Sequence, residues 1–334
     1  MKEIKNEVKD NRVNILELAK DAKVIGISGH MRPDGDCVGS TLGLYLYLKK
    51  AVPKAKIVLY LEQPSDIFKD LKGYDEIQSD FDGDETYDLF FALDGEKSRL
   101  GGAEKYFDSA KVTVNIDHHI SNRGSGKYNY VVPEASSASE LVFDLMEEVY
   151  VDVDIAKAIY TGIIHDTGVF QYSNTAPKTL NIAAKLIAYG FDFSEIIDRT
   201  FYEKTYIQNQ IMGRTLLESM LFMDGRCIVG MVDRKTMDFY GVEPKDLDGI
   251  VNQLRVIKGV DCAVFMYETD TLEYKVSMRS NDTVDVAKVA GFYGGGGHKK
   301  AAGCTVNGTF HDVINNLSQS IAMQMKAYDS KSMT

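Results

Sequence analysis

Residues 111–119 read KVTVNIDHH. The run VTVNI is rich in β-branched residues and long enough for a buried strand, so Asp117, His118 and His119 fall at or just past its carboxyl end. In a parallel sheet that edge is where α/β folds gather their ligand sites.

Working outward, three more runs read as strands: KVIGIS (23–28), KIVLYL (56–61) and YDLFFAL (87–93). Amphipathic stretches separate or follow them, in VGSTLGLYLYLKKA after residue 37, SASELVFDLMEEVY from residue 137 and DIAKAIYTGIIHDTG from residue 154. This alternation predicts an α/β domain with a parallel sheet and flanking helices over residues 1–190. Residues 191–214 have a helical rhythm and read as a connector. From 215 to 334 the pattern changes to paired strands, RCIVGMVD and DCAVFMYETDTLEYKVSMRS, with ETDT (268–271) placed to turn a hairpin; the helix DVAKVAGFY then runs into GGGG. A smaller α+β domain is expected there.

The 334 residues carry a net charge of −11, and the acidity lies before residue 212. A long duplex needs a basic face with several phosphate contacts, which this balance lacks. The four cysteines, Cys37, Cys227, Cys262 and Cys304, have no CxxC spacing and read as reduced, buried thiols. The N-terminal stretch MKEIKNEVKDNRVNILELAKDAK is charged throughout, and no apolar run approaches the roughly 20 residues of a membrane span. A cytoplasmic protein is expected.

Four segments deliver acids and histidines together: ISGHMRPDGD with His30, Asp34 and Asp36; FFALDGE with Asp94; NIDHH; and IIHDTG with His165 and Asp166. One such residue after a strand is usually a cap or turn residue. Four segments in one domain are a site. Carboxylates packed this closely repel unless cations neutralise them, and a donor set of carboxylate and imidazole suits Mn²⁺ first, with Mg²⁺, Co²⁺, Fe²⁺ and Zn²⁺ as alternatives. Two such ions about 4 Å apart activate water against phosphorus, which makes phosphoester hydrolysis the natural chemistry. In the second domain, GGGGH (294–298) permits close backbone approach, and Arg279 and His298 are suited to phosphate. SSAS (136–139), ahead of Glu140, reads as a helix cap.

GHMRPDGDCVGS, ALDGE, IDHH and HDTGVF resemble, in order, the four motifs of the DHH phosphoesterases, and RSNDTVDVAKVAGFYGGGGHKKAAG resembles the signature of the associated DHHA1 domain. The layout resembles the small bacterial oligoribonuclease (nanoRNase)/pAp phosphatase group. The resemblance implies one metal on His30, Asp34 and Asp94 and a second on Asp36, Asp94, His118 and Asp166. It also implies His119 as the catalytic group beside the scissile phosphate and Asp117 as the residue orienting a neighbouring histidine. Substrate binding falls to Arg279, Gly295, Gly296, Gly297 and His298. The implied activity is two-metal hydrolysis of oligoribonucleotides of about 2–5 nucleotides, pApA included, to 5′-mononucleotides, and of pAp to AMP. Gln171 stands where relatives often carry a basic residue, and relatives commonly form homodimers. Cyclic di-AMP hydrolysis, DHH-type pyrophosphate hydrolysis and a nucleotide-binding regulator remain as alternatives.

Overall fold

The computed structural model describes residues 13–332; residues 1–12 of the charged N-terminal stretch lie outside them. The chain divides into two compact units between Glu203 and Lys204, inside the expected connector.

The first unit contains β1 (Val24–Ser28), β2 (Lys56–Tyr60), β3 (Leu89–Leu93), β4 (Val112–Asp117) and β5 (Tyr128–Val131). Its helices are α1 (Ile15–Ala19), α2 (Gly35–Ala51), α3 (Glu104–Ser109), α4 (Ala138–Asp144), α5 (Val153–Asp166), α6 (Pro177–Ile187) and α7 (Phe193–Ile197). The strands lie in the order β2-β1-β3-β4-β5 and every pairing is parallel. All five residues of β3 are buried. Leu89, Phe91 and Leu93 face the large core shared with α2, α4 and α5, while Phe90 and Ala92 face a second layer with Tyr106 and Phe107 of α3. A central parallel strand covered on both faces is continuously apolar for this reason. Four of the five strands coincide with the expected runs. β5 was not expected: YNYV is short and its first two residues are exposed, as befits an edge strand.

α2 passes through the interior, with every residue from Gly35 to Leu48 buried. Its packing against α5 is allowed by glycines four residues apart. A β-carbon on Gly39 would stand 2.6 Å from Ala158 O and Gly162 N, and one on Gly43 would stand 2.5 Å from Ile159 Cδ1. Glycines at this spacing line one helix face, so the two backbones meet closely along it. That contact brings Asp36 at the start of α2 near Asp166 at the end of α5. α4 stops at Asp144, short of the expected end.

The second unit contains α8 (Tyr206–Leu217), β6 (Met220–Phe222), β7 (Cys227–Val232), α9 (Arg234–Tyr240), α10 (Ile250–Arg255), β8 (Cys262–Asp270), β9 (Glu273–Ser280), α11 (Val286–Gly291), β10 (Gly296–His298), β11 (Ala301–Asn307) and α12 (Phe310–Ser332). The sheet runs β10-β11-β9-β8-β7-β6, antiparallel except for β7 with β8. Residues 220–222, which were not among the expected strands, form the edge strand β6. Strict alternation along β9 buries Tyr274, Val276, Met278 and Ser280 and turns Lys275, Ser277 and Arg279 to the other face. The hairpin turn comes at residues 271–272, later than ETDT, with Leu272 left-handed at φ 57°.

Candidate metal centre

The carboxyl ends of β1, β3 and β4 and the facing ends of α2 and α5 bring His30, Asp34, Asp36, Asp94, His118, His119 and Asp166 together. Asp94 is at the centre. It follows β3 directly and takes the left-handed conformation at φ 56°, while its own N–H donates to Ile116 O of β4 at 3.0 Å. Its side chain is 2% exposed, and Oδ1 is buried without a hydrogen-bond partner. A buried carboxylate oxygen with nothing donating to it is costly unless a cation is its partner.

His30 Nε2 lies 3.4 Å from Asp94 Oδ2 and 3.6 Å from Asp34 Oδ2. His118 Nε2 lies 3.5 Å from Asp94 Oδ1, 3.4 Å from Asp166 Oδ2 and 3.9 Å from Asp36 Oδ2. These separations are long for hydrogen bonds, but donors held at about 2.1 Å from a common ion stand roughly 3 Å or more apart. The donor set therefore fits divalent cations, with Asp94 common to both groups. His30 Nδ1 donates to Met31 O at 2.8 Å, which leaves Nε2 and its lone pair facing Asp94.

Each carboxylate is fixed by backbone amides. Asp34 caps α2, its Oδ1 accepting from the N–H groups of Asp36 and Cys37 at 3.1 Å each, so Oδ2 is left for the site. Asp36 accepts from Ala138 N at 2.6 Å and Ser139 N at 2.9 Å, at the amino terminus of α4. Ser137 caps that helix through Glu140 N, and Ser136 Oγ donates to Glu140 Oε2, so the SSAS stretch is occupied in building α4. Sequence reading recognised the cap but not that α4 aims its free amides at Asp36.

Without cations the cluster draws in protons. Burial, then the charge of Asp94, pushes the Asp36 carboxyl up to about 7. Burial opposes protonation of His118, but Asp94 and Asp166 outweigh it and raise the imidazole to about 10; at His30, Asp34 and Asp94 outweigh burial to the same value.

Asp117 is fully buried and saturated. Oδ1 accepts from His118 N at 2.7 Å, His119 N at 3.1 Å and His119 Nδ1 at 2.7 Å, and Oδ2 accepts from Asn122 Nδ2 at 2.6 Å. Burial works against its ionisation, but the His119 contacts and Asn122 hold its carboxyl below the usual range. With Nδ1 donating to Asp117, His119 presents Nε2, and the guanidinium of Arg99 approaches it at 3.5 Å. Arg99 was missed because its turn carries no motif-like spacing.

Two other residues depart from their motifs. Cys37 Sγ shares a cluster of possible ligand atoms with His30 and Asp94. Burial, then the Asp94 charge, keeps the thiol protonated, and it points at His30 O at 3.8 Å. His165 sits beside Asp166 but turns to Thr200 Oγ1 at 2.9 Å and packs under Gly35, where a β-carbon would stand 2.1 Å from its Cγ.

In the second unit, GGGGH is not an open loop. β10 pairs with β11, and a β-carbon on Gly295 would stand 2.2 Å from Gly303 O. Gly297 stands opposite Ala302 and His298 opposite Ala301, while the position of Gly296 is open. Arg279 pairs with Ala301 across the same sheet.

Residues 24–163 match the DHH family N-terminal domain and residues 224–327 match the DHHA1 domain. The chain belongs to the DHH family, whose members are metal-dependent phosphoesterases. It is 32% identical, over 85% of its length and 84% of the relative's, to the bifunctional oligoribonuclease and PAP phosphatase NrnA of Thermus thermophilus. It is 30% identical, over 83% and 87%, to the Bacillus subtilis protein of the same name. A crystal structure of an exopolyphosphatase-related protein from Bacteroides fragilis superposes with a TM-score of 0.86 at 25% identity, covering 94% of this chain and 96% of that one. Among the described residues no helix is long and apolar enough to cross a membrane.

Proposed function

We propose that this protein is a hydrolase of short oligoribonucleotides, pApA among them, to 5′-mononucleotides, and of pAp to AMP. The observation that carries the reading is the buried Asp94 carboxylate, set between His30 and His118, whose Oδ1 has no hydrogen-bond donor. The names of the two aligned relatives supply the substrate class.

His30, Asp34 and Asp94 would hold one divalent cation, and Asp36, Asp94, His118 and Asp166 a second, with Mn²⁺ the preferred ion. When bound, these ions supply Lewis acidity toward the phosphate and a water of lowered pKa. The chain's residues do the rest. Asp117 fixes the His119 tautomer, and His119 Nε2 carries a proton between the attacking water and the leaving oxygen. Water oxygen bonds to phosphorus, the bond from phosphorus to the leaving oxygen breaks, and that oxygen departs protonated. Arg279, His298 and the backbone of Gly295, Gly296 and Gly297 hold a second phosphate of the substrate. We place the protein in the cytoplasm, in keeping with four buried, unpaired thiols.

The test compares initial rates with Mn²⁺ on pApA, a five-nucleotide RNA, pAp, cyclic di-AMP and pyrophosphate. AMP release from pApA and pAp with little attack on pyrophosphate is expected. Pyrophosphate or cyclic di-AMP as the best substrate, or no turnover with any divalent metal, would overturn the reading.

A further inference from the structure

The metal centre leaves a charge problem. Asp34, Asp36, Asp94 and Asp166 balance two divalent cations, so on the two-metal reading proposed above no positive charge remains for an incoming phosphate, and Asp117 adds a negative one. Some cation of the chain must answer the substrate.

The described arginines of the first unit are Arg32, Arg99, Arg123 and Arg199. Arg199 is occupied by Asp70 at 2.5 Å and Glu195 at 3.4 Å. Arg99 reaches the site. It ends the turn Lys97–Arg99 after β3, and its carbonyl accepts from Met31 N at 2.7 Å, which ties it to the loop that carries His30. Its stem runs over Gly95, the residue after Asp94, whose added β-carbon would stand 3.7 Å from Arg99 Cβ and Cδ. Its head stops 3.5 Å from His119 Nε2, and among the described residues no carboxylate forms an ion pair with it. A half-buried guanidinium set beside this many acids without pairing with any of them is placed for an anion that comes and goes.

We propose that Arg99 is a phosphate-binding residue: its guanidinium leaves His119 Nε2 and donates N–H bonds to the non-bridging oxygens of the scissile phosphate. Its departure frees Nε2 for the proton that His119 carries. Binding of phosphate and exposure of the proton carrier are then one event.

The experiment uses the full-length, Mn²⁺-loaded protein as wild type, Arg99→Ala and Arg99→Lys. Inorganic phosphate is the calorimetric probe, and kcat and KM are measured on pApA in parallel. Loss of a charge-assisted hydrogen bond predicts a roughly 10- to 100-fold weaker phosphate Kd for Arg99→Ala. Arg99→Lys recovers part of it, since lysine keeps the charge and loses the fork. The rise in Tm produced by Mn²⁺ stays the same in all three, because the tie to Met31 runs through the backbone. A phosphate Kd within twofold of wild type in Arg99→Ala, or no phosphate binding by wild type, overturns the proposal. Arg99-dependent phosphate binding without turnover of any phosphoester would leave Arg99 in place and remove the activity proposed above.

Discussion

Asp117 Oδ1 lies 2.7 Å from Nδ1 of His119, two residues along the same strand end, and fixes Nδ1 as the ring nitrogen that carries the proton. Carboxylates that orient a working imidazole in this way are commonly worth 10- to 100-fold. Asp117→Asn keeps the volume but can offer its NH₂ where His119 needs an acceptor. The expected result is a fall in kcat of roughly 10- to 100-fold on pApA with KM little changed. An unchanged kcat would show that His119 does not need a fixed tautomer.

Asp94→Ala removes the group common to both proposed sets of ligands. Turnover on every phosphoester is expected to drop by roughly 1,000-fold or more, the effect of several kcal/mol of charge stabilisation. A second reading comes from melting curves. Metal at about 100 times its Kd stabilises the wild type by roughly 2.7 kcal/mol, and that shift in Tm should disappear in Asp94→Ala. A full Mn²⁺ shift in the variant would remove Asp94 from the metal centre.

Protons and cations compete for the same atoms. In the metal-free protein the Asp36 carboxyl stands near 7, so the folded state holds a proton there that the unfolded chain has lost above about 4. His30 and His118 stand near 10, so their contribution is complete below about 6.5. In each case the folded state binds more protons. Stability of the metal-free protein should therefore fall as pH rises from about 4 to 7 through Asp36, and from about 6.5 to 10 through the histidines. Mn²⁺ binding should release protons and tighten between pH 6 and 8. Calorimetry in buffers of different ionisation enthalpy checks this; Mn²⁺ uptake with no proton release would contradict it.

The crossing of α2 and α5 is sterically unforgiving. Gly39→Val would drive a β-carbon to within 2.6 Å of backbone atoms of Ala158 and Gly162. Overpacking against backbone typically costs about 1–3 kcal/mol, and here it also separates Asp36 from Asp166. A lower urea midpoint together with weaker Mn²⁺ binding is expected. Wild-type values for both would mean that the helices can move apart freely.

Arg279 stands on the half-exposed face of β9, where a phosphate can be gripped without disturbing the core beneath Met278. Arg279→Ala should raise KM for pApA and pAp by roughly 10-fold or more while leaving the Mn²⁺-induced Tm shift intact. An unchanged KM on both substrates would take Arg279 out of substrate binding.

The sequence by itself determined the alternation of strand and helix in the first unit, the strand ends that carry Asp94 and Asp117, and the acid and histidine motifs, because buried strands and their polar ends are written locally. It was weaker where structure depends on a distant partner. β5 exists through its pairing with β4, and β6 through its pairing with β7. Only the tertiary structure decided that the amides of Ala138 and Ser139 hold Asp36, that His165 turns to Thr200 while Asp166 meets His118, and that Arg99 reaches His119. Those relationships join residues up to 103 positions apart. Their physical reason is the packing of elements distant in sequence, α2 against both α4 and α5 and β3 beside β4, which no local pattern of polarity encodes.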